Sequence, residues 1–96
     1  MIVHTNNTTY KVDWQHDHEN RMTTCKITDM SNNRGHLGTA TVHPEDSYNK
    51  NTGRKVSLLR ALNYLFPYKE NRLGENNHLH RMEFWTEYNK MRNYKW

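Results

Sequence analysis

Apolar residues change their spacing around Pro44, and that switch constrains the fold more than any other feature of the chain. Before it they alternate. Tyr10, Val12 and Trp14 interleave with Thr9, Lys11 and Asp13, the period-two pattern of a strand with one buried face. After it the period is helical. Leu58, Ala61, Leu62 and Leu65 fall at i, i+3, i+4 and i+7, with Val56, Leu59 and Phe66 widening the stripe. Strands gathered in one half and helices in the other define an α+β chain.

The remaining elements follow from local chemistry. A second strand fits residues 21–30, with Cys25 and Ile27 facing inward. Ser31-Asn32-Asn33-Arg34-Gly35 is a tight turn, since Asn and Gly tolerate the positive φ that short hairpins need. A third strand fits residues 36–43, with Ala40 and Val42 inward, and Pro44 ends it. Ile2 and Val3 read as a short lead-in before a turn at Asn6-Asn7, and residues 15–20 read as a loop. The expectation is a three-stranded antiparallel β-meander over about residues 2–43. Two helices follow. One, over about residues 52–66, stops at Pro67. The other, over about residues 76–94, is capped by Asn76 or Asn77 and carries Met82, Phe84, Trp85, Tyr88 and Met91 on its apolar side. Both helices pack on one face of the sheet, within a single domain of 96 residues.

Such a core has little aliphatic material. Leu, Ile, Val and Phe number 15 of 96, a level that borders on disorder. Three Trp and six Tyr, with a net charge of only +4, restore the balance in favour of a folded domain. No stretch approaches the ~20 apolar residues of a membrane span. Residues 1–5 lack the basic region and apolar run of a secretory signal. A lone cysteine, Cys25, closes no internal disulfide, as small secreted domains usually do. The expected compartment is the cytoplasm.

Charge is unevenly placed. Residues 1–49 carry four Lys or Arg against six Asp or Glu, whereas residues 50–96 carry ten against four. A basic half favours a polyanion or an acidic protein surface as partner, with a solvated helical surface as the plainer explanation. Lys50, Arg54, Lys55 and Arg60 place four cations within eleven residues and no acid among them. With a helix starting near Thr52, Arg54 and Lys55 would lie in its first turn. Cations there oppose the helix dipole at a cost of a few tenths of a kcal/mol, roughly. Unpaired N–H groups beside two cations suit a phosphate or carboxylate, and Gly53 would let a ligand approach the backbone. The same segment supports a purely structural clamp, in which His43 and Asp46 pin the linker to cations of the helix; the two readings weigh equally. In the second helix Arg81, Lys90, Arg92 and Lys95 lie among Trp85, Tyr88, Tyr94 and Trp96. Cations interleaved with aromatics suit nucleic-acid contact, although Met82, Trp85 and Tyr88 fit a core stripe better. The candidate partner-binding residues are therefore Lys50, Arg54, Lys55, Arg60, Arg81 and Arg92.

Catalytic and metal chemistry find less support. The pairs His16-x-His18 and His78-x-His80 are the closest approach to metal-ligand spacing. The first sits in the loop reading and the second opens a helix, where i and i+2 diverge, so exposed histidines outweigh a metal site. Cys25 alternates onto the inner face of a strand, where cysteine acts as a small hydrophobe. Ser47 and Ser57 lack a nucleophile-elbow pattern. The expectation is a protein that is not an enzyme and takes no cofactor or metal.

The run His43-Pro44-Glu45-Asp46, Asn49-Lys50, Gly53-Arg54-Lys55, Leu58 and Arg60-Ala61-Leu62, followed by a helix with Phe84-Trp85 and Tyr88, resembles small accessory proteins of phages that infect Gram-positive bacteria. In those proteins a segment similar to HPxDxxxKxxGRKxxxxRAL follows a short β-meander. The resemblance covers residues 36–66 well and the rest in outline. It implies a bacterial host cytoplasm and a protein that binds and inhibits a host protein or nucleoprotein complex, as anti-CRISPR proteins and inhibitors of host transcription do. Direct, weakly sequence-specific binding of DNA or RNA is the alternative. No membrane partner is expected, and an exposed sheet edge leaves a homodimer open.

Overall fold

The computed structural model describes residues 1–5, 8–42, 49–66 and 74–92, with residues 74–78 and Arg92 described at the level of the backbone. The order of elements is β1 (Ile2–His4), β2 (Thr9–Asp17), β3 (Met22–Asp29), β4 (Arg34–Thr41), α1 (Lys50–Leu65) and α2 (Gly74–Arg92). The α+β class expected from the spacing switch is present, but the sheet has four strands rather than three. Its order is β1-β2-β3-β4, each pair antiparallel. The lead-in at Ile2 and Val3 is an edge strand. Met1 seals it to β2, its amino group donating to Val12 O at 3.2 Å while its carbonyl accepts from Val12 N at 2.8 Å. The expected loop at residues 15–20 is also shorter: β2 continues through Gln15 and His16 to Asp17. His16 keeps the inward alternation of Tyr10, Val12 and Trp14, with Thr23 and Ala40 as its neighbours in register.

The hairpin between β3 and β4 uses the Asn chemistry anticipated for it, whereas Arg21, expected to open the second strand, is a turn residue. Asn33 takes φ 58° in the turn between β3 and β4, and Arg21 takes φ 52° in the turn between β2 and β3. Asp29 Oδ1 accepts from the backbone and hydroxyl of Ser31, which fixes the first of these turns. Gly35, placed in the turn by its sequence, is a strand residue instead.

The two faces of the sheet differ. Val3, Tyr10, Val12, Cys25 and Ile27 are buried beneath the helices. The opposite face is threonine-rich and charged, with Lys26 set between Asp13 and Leu37 in register. Helix α1 crosses β3 and β4, and α2 lies against β1 and β2. Because aliphatic residues are scarce, aromatic rings close the core. Tyr10 meets Phe84 at 5.4 Å and Phe66 at 6.0 Å between ring centroids, and Tyr88 joins Trp14 and Trp85. The buried line of α2 is Arg81, Phe84 and Tyr88. Met82, expected in the core stripe, is 51% exposed instead.

Small residues set how closely α1 approaches the sheet. Gly53, Ser57 and Ala61 form one line along the helix and all are buried. A Cβ on Gly38 of β4 would collide with Ser57 O and Ala61 N, and a Cβ on Gly53 would collide with Thr23 Oγ1. Helix backbone therefore rests on sheet backbone with no side chain between them at Gly38.

Candidate functional site

Helix α1 begins earlier than its apolar stripe suggests. Asn49 is the N-cap, in extended conformation, and its Oδ1 accepts from Asn51 N at 2.9 Å and Thr52 N at 3.2 Å. Two consequences correct the sequence expectation. The cation in the first turn is Lys50, and Arg54 and Lys55 lie in the second. Moreover, the cap already occupies the N–H groups of Asn51 and Thr52, so the helix terminus is not an open anion nest. Gly53 serves the fold as well. Its missing side chain admits Thr23 of β3, so the close approach is made by the protein itself and not by a ligand.

Arg54 turns toward the sheet and is half-buried. Its Nη1 donates to Asn51 Oδ1 at 3.0 Å, and its carbonyl accepts from Trp14 Nε1 and Ser57 Oγ, each at 3.1 Å. Nearby, His16 Nδ1 lies 3.0 Å from Thr23 Oγ1. Burial first, then the charges of Arg54, Lys50 and His18, hold the His16 imidazole below its usual pKa. Lys55 is exposed. Helix α2 runs antiparallel to α1, with Tyr88 OH 3.5 Å from Asn51 O at one end and Arg81 at Asn63 and Phe66 at the other. The last turns of α2, with Lys90 and the backbone of Arg92, thus share an end with Lys50 and Lys55. Lys90 is paired with Glu87 at 3.1 Å.

Arg60 stands apart, over a turn further along α1. Its Nη1 donates to the carbonyl of Thr39 on β4. It lines a cleft of about 420 Å³ with Leu37, Gly38, Thr39, Asn63 and Tyr64. Four of the six expected binding residues, Lys50, Arg54, Lys55 and Arg60, therefore lie on one helix that contains no Asp or Glu. Strand β4 contains none either.

Arg81 is not part of that surface. Only 3% exposed, it donates from Nη1 to Asn63 Oδ1 at 2.9 Å and to Phe66 O at 3.2 Å. Phe66 is the C-cap of α1, so Arg81 places a cation at the negative end of the α1 dipole and ties the helices together. His43 and Asp46, the expected clamp, lie outside the described residues. So do Ser47, Tyr94, Lys95 and Trp96, and the side chains of His78 and Arg92 are not described.

The reactive groups are inert or isolated. Cys25 is fully buried, and burial, reinforced by the charge of Asp13, pushes its thiol up to about 12. Ser57 Oγ is buried and bonded to the helix backbone. Among the described residues no group of three or more His, Cys, Asp or Glu is placed to hold a metal ion. Also among them, no helix is long and apolar enough to cross a membrane. The acid-free make-up of α1 was legible as a run of cations. The part played by β4 was not, since strand residues 34–41 contribute mainly by having no carboxylates.

No known protein family, curated protein or solved structure matches this chain.

Proposed function

We propose that this is a non-enzymatic binding protein that works by occlusion, laying the exposed cations of α1 against an anionic surface of a host protein or nucleoprotein complex. The observation that carries the reading is α1 itself: four cations on sixteen residues with no acid, one of them in the first turn where it opposes the helix dipole. Surface charge usually mixes both signs. A helix that tolerates unmixed charge and an unfavourable terminus breaks a local rule, and such breaks concentrate at functional surfaces. The resemblance of residues 36–66 to small phage accessory proteins supplies the context, a bacterial host cytoplasm and an anti-defence or host-takeover role.

Direct binding of DNA or RNA is the second reading, favoured by Lys90 and Arg92 at the same end as Lys50 and Lys55. A tagged capture from bacterial lysate, split into nuclease-treated and untreated halves, separates the two. The first reading expects one protein or complex to survive nuclease. Capture that vanishes with nuclease would replace it with the second.

A further inference from the structure

No described strand pairs with the outer edge of β4, and the register of the strand says which groups that edge offers. Val42 N donates to Arg21 O at 2.9 Å, and the same register runs through the whole β3–β4 ladder. Alternation then commits the N–H and C=O groups of Arg34, His36, Gly38 and Ala40 to β3. Those of Gly35, Leu37, Thr39 and Thr41 point the other way, to the side where no described strand lies. Thr39 O confirms the assignment, because Arg60 reaches it from outside the ladder.

Three further features bear on what could pair there. Leu37 and Tyr64, 56% and 79% exposed, flank the cleft that follows this edge. Of the cations of β4 and α1, Arg34 and Arg60 lie at this edge; Asp29 stands opposite Arg34 in the ladder, which leaves Arg60 as the cation there with no carboxylate beside it among the described residues. Finally, Arg60 guards the edge with a single bond to a neutral carbonyl, whereas a carboxylate would offer its guanidinium a charged, bidentate partner. A second copy of β4 would bring Arg34 and Arg60 against Arg34 and Arg60. Like charge disfavours that pairing, and it favours an acidic chain.

We propose that the open edge of β4 takes an extended acidic peptide segment of a partner protein as a fifth strand, with Arg60 exchanging the Thr39 carbonyl for a carboxylate of that segment. A backbone N–H of the incoming strand then takes over Thr39 O, so no polar group is left unpaired in the exchange. Alternation turns the carboxylates of the added strand toward Arg60 and its apolar side chains toward Leu37 on the face away from the helices. The proposal rests on the reading of α1 as the partner-binding surface and specifies the partner as polypeptide.

The test uses the intact protein and three capped octapeptides: alternating Glu and Val, its fully N-methylated counterpart, and alternating Lys and Val. Binding and amide hydrogen exchange are followed by NMR. The Glu-Val peptide is expected to bind and to slow exchange of the Leu37 and Thr39 amides by about tenfold or more. The N-methylated and lysine peptides should bind about tenfold more weakly or worse, and Arg60→Gln should weaken the Glu-Val peptide by about tenfold with the fold intact. Equal binding of the N-methylated peptide, with shifts at Lys50 and Lys55 only, would overturn strand addition and leave the charged-surface reading standing. Absence of Glu-Val binding would overturn strand addition too, while the lysate capture still tests the broader reading. Protection of Leu37 and Thr39 that rises with protein concentration alone would assign the edge to a second copy instead.

Discussion

Replacing Gly38 with alanine should damage this fold more than its single added methyl suggests. The obstructing atoms are helix backbone: the new Cβ would meet Ser57 O and Ala61 N, and would stand 2.9 Å from Ala61 Cα. Carbon atoms pack comfortably at roughly 3.5–4.0 Å, so α1 would have to lift from the sheet by the better part of an ångström. No rotamer change can relieve a clash with backbone. Lifting α1 also loosens Leu58 and Leu62, both fully buried on the same helix. Overpacking costs about 1–3 kcal/mol, and the upper end applies here, about 3 kcal/mol. A domain of this length holds only about 5–14 kcal/mol in total. The melting temperature should therefore fall by about 12–24 °C. Gly35→Ala is the control. Its Cβ meets the end of the exposed Lys26 side chain at 2.8 Å, which can swing away, so stability should change by less than about 0.5 kcal/mol. Urea unfolding of the two variants provides the comparison. Midpoints within error of each other would refute direct backbone contact between α1 and β4.

Other residues give independent expectations. Arg81→Met should lower stability by about 2 kcal/mol in urea unfolding, by stranding the Phe66 carbonyl and Asn63, and should leave partner capture unchanged. His16 has a folded-state pKa below its unfolded value, so protons bind the unfolded chain more readily. Stability from this source is full above about pH 6.5 and is lost as pH falls through the depressed folded value. His16→Asn, which keeps an acceptor or donor near Thr23, should flatten the decline between about pH 7 and 5. The lowered carboxyls of Asp17 and Asp29 act in the same direction but only below about pH 4, outside that window. Cys25 should resist iodoacetamide at mildly alkaline pH in the folded protein and react once urea unfolds it; mass spectrometry reads either result.

Much of this architecture was legible in residue order, and the departures have physical causes. The alternation of Tyr10, Val12 and Trp14 placed β2 correctly but seemed to end at Trp14, because a histidine at the next inward position reads as polar. In the fold, His16 is satisfied by Thr23 across the ladder, a partner that sequence spacing does not reveal. Ile2 and Val3 are too few to announce a strand, and it is the pairing of Met1 with Val12 that makes them one. Gly53 and Arg81 show the same limit from the side of function. Each carried a ligand-binding expectation from its type and neighbours, yet Gly53 makes room for Thr23 and Arg81 caps α1 from the facing helix. The run of cations on α1 was plain from the sequence. That Arg60 alone of them reaches the edge of β4 required the tertiary structure.

The central claim is that the acid-free helix α1 carries partner binding, and charge reversal at two of its exposed cations tests it most directly. The double variant Lys50→Glu, Lys55→Glu leaves the buried contacts of Arg54 and Gly53 untouched. In the nuclease-treated capture it should lose the partner that the wild-type protein retains, while melting within a few degrees of it. Retention of the same partner at undiminished yield by a folded double variant would contradict the claim.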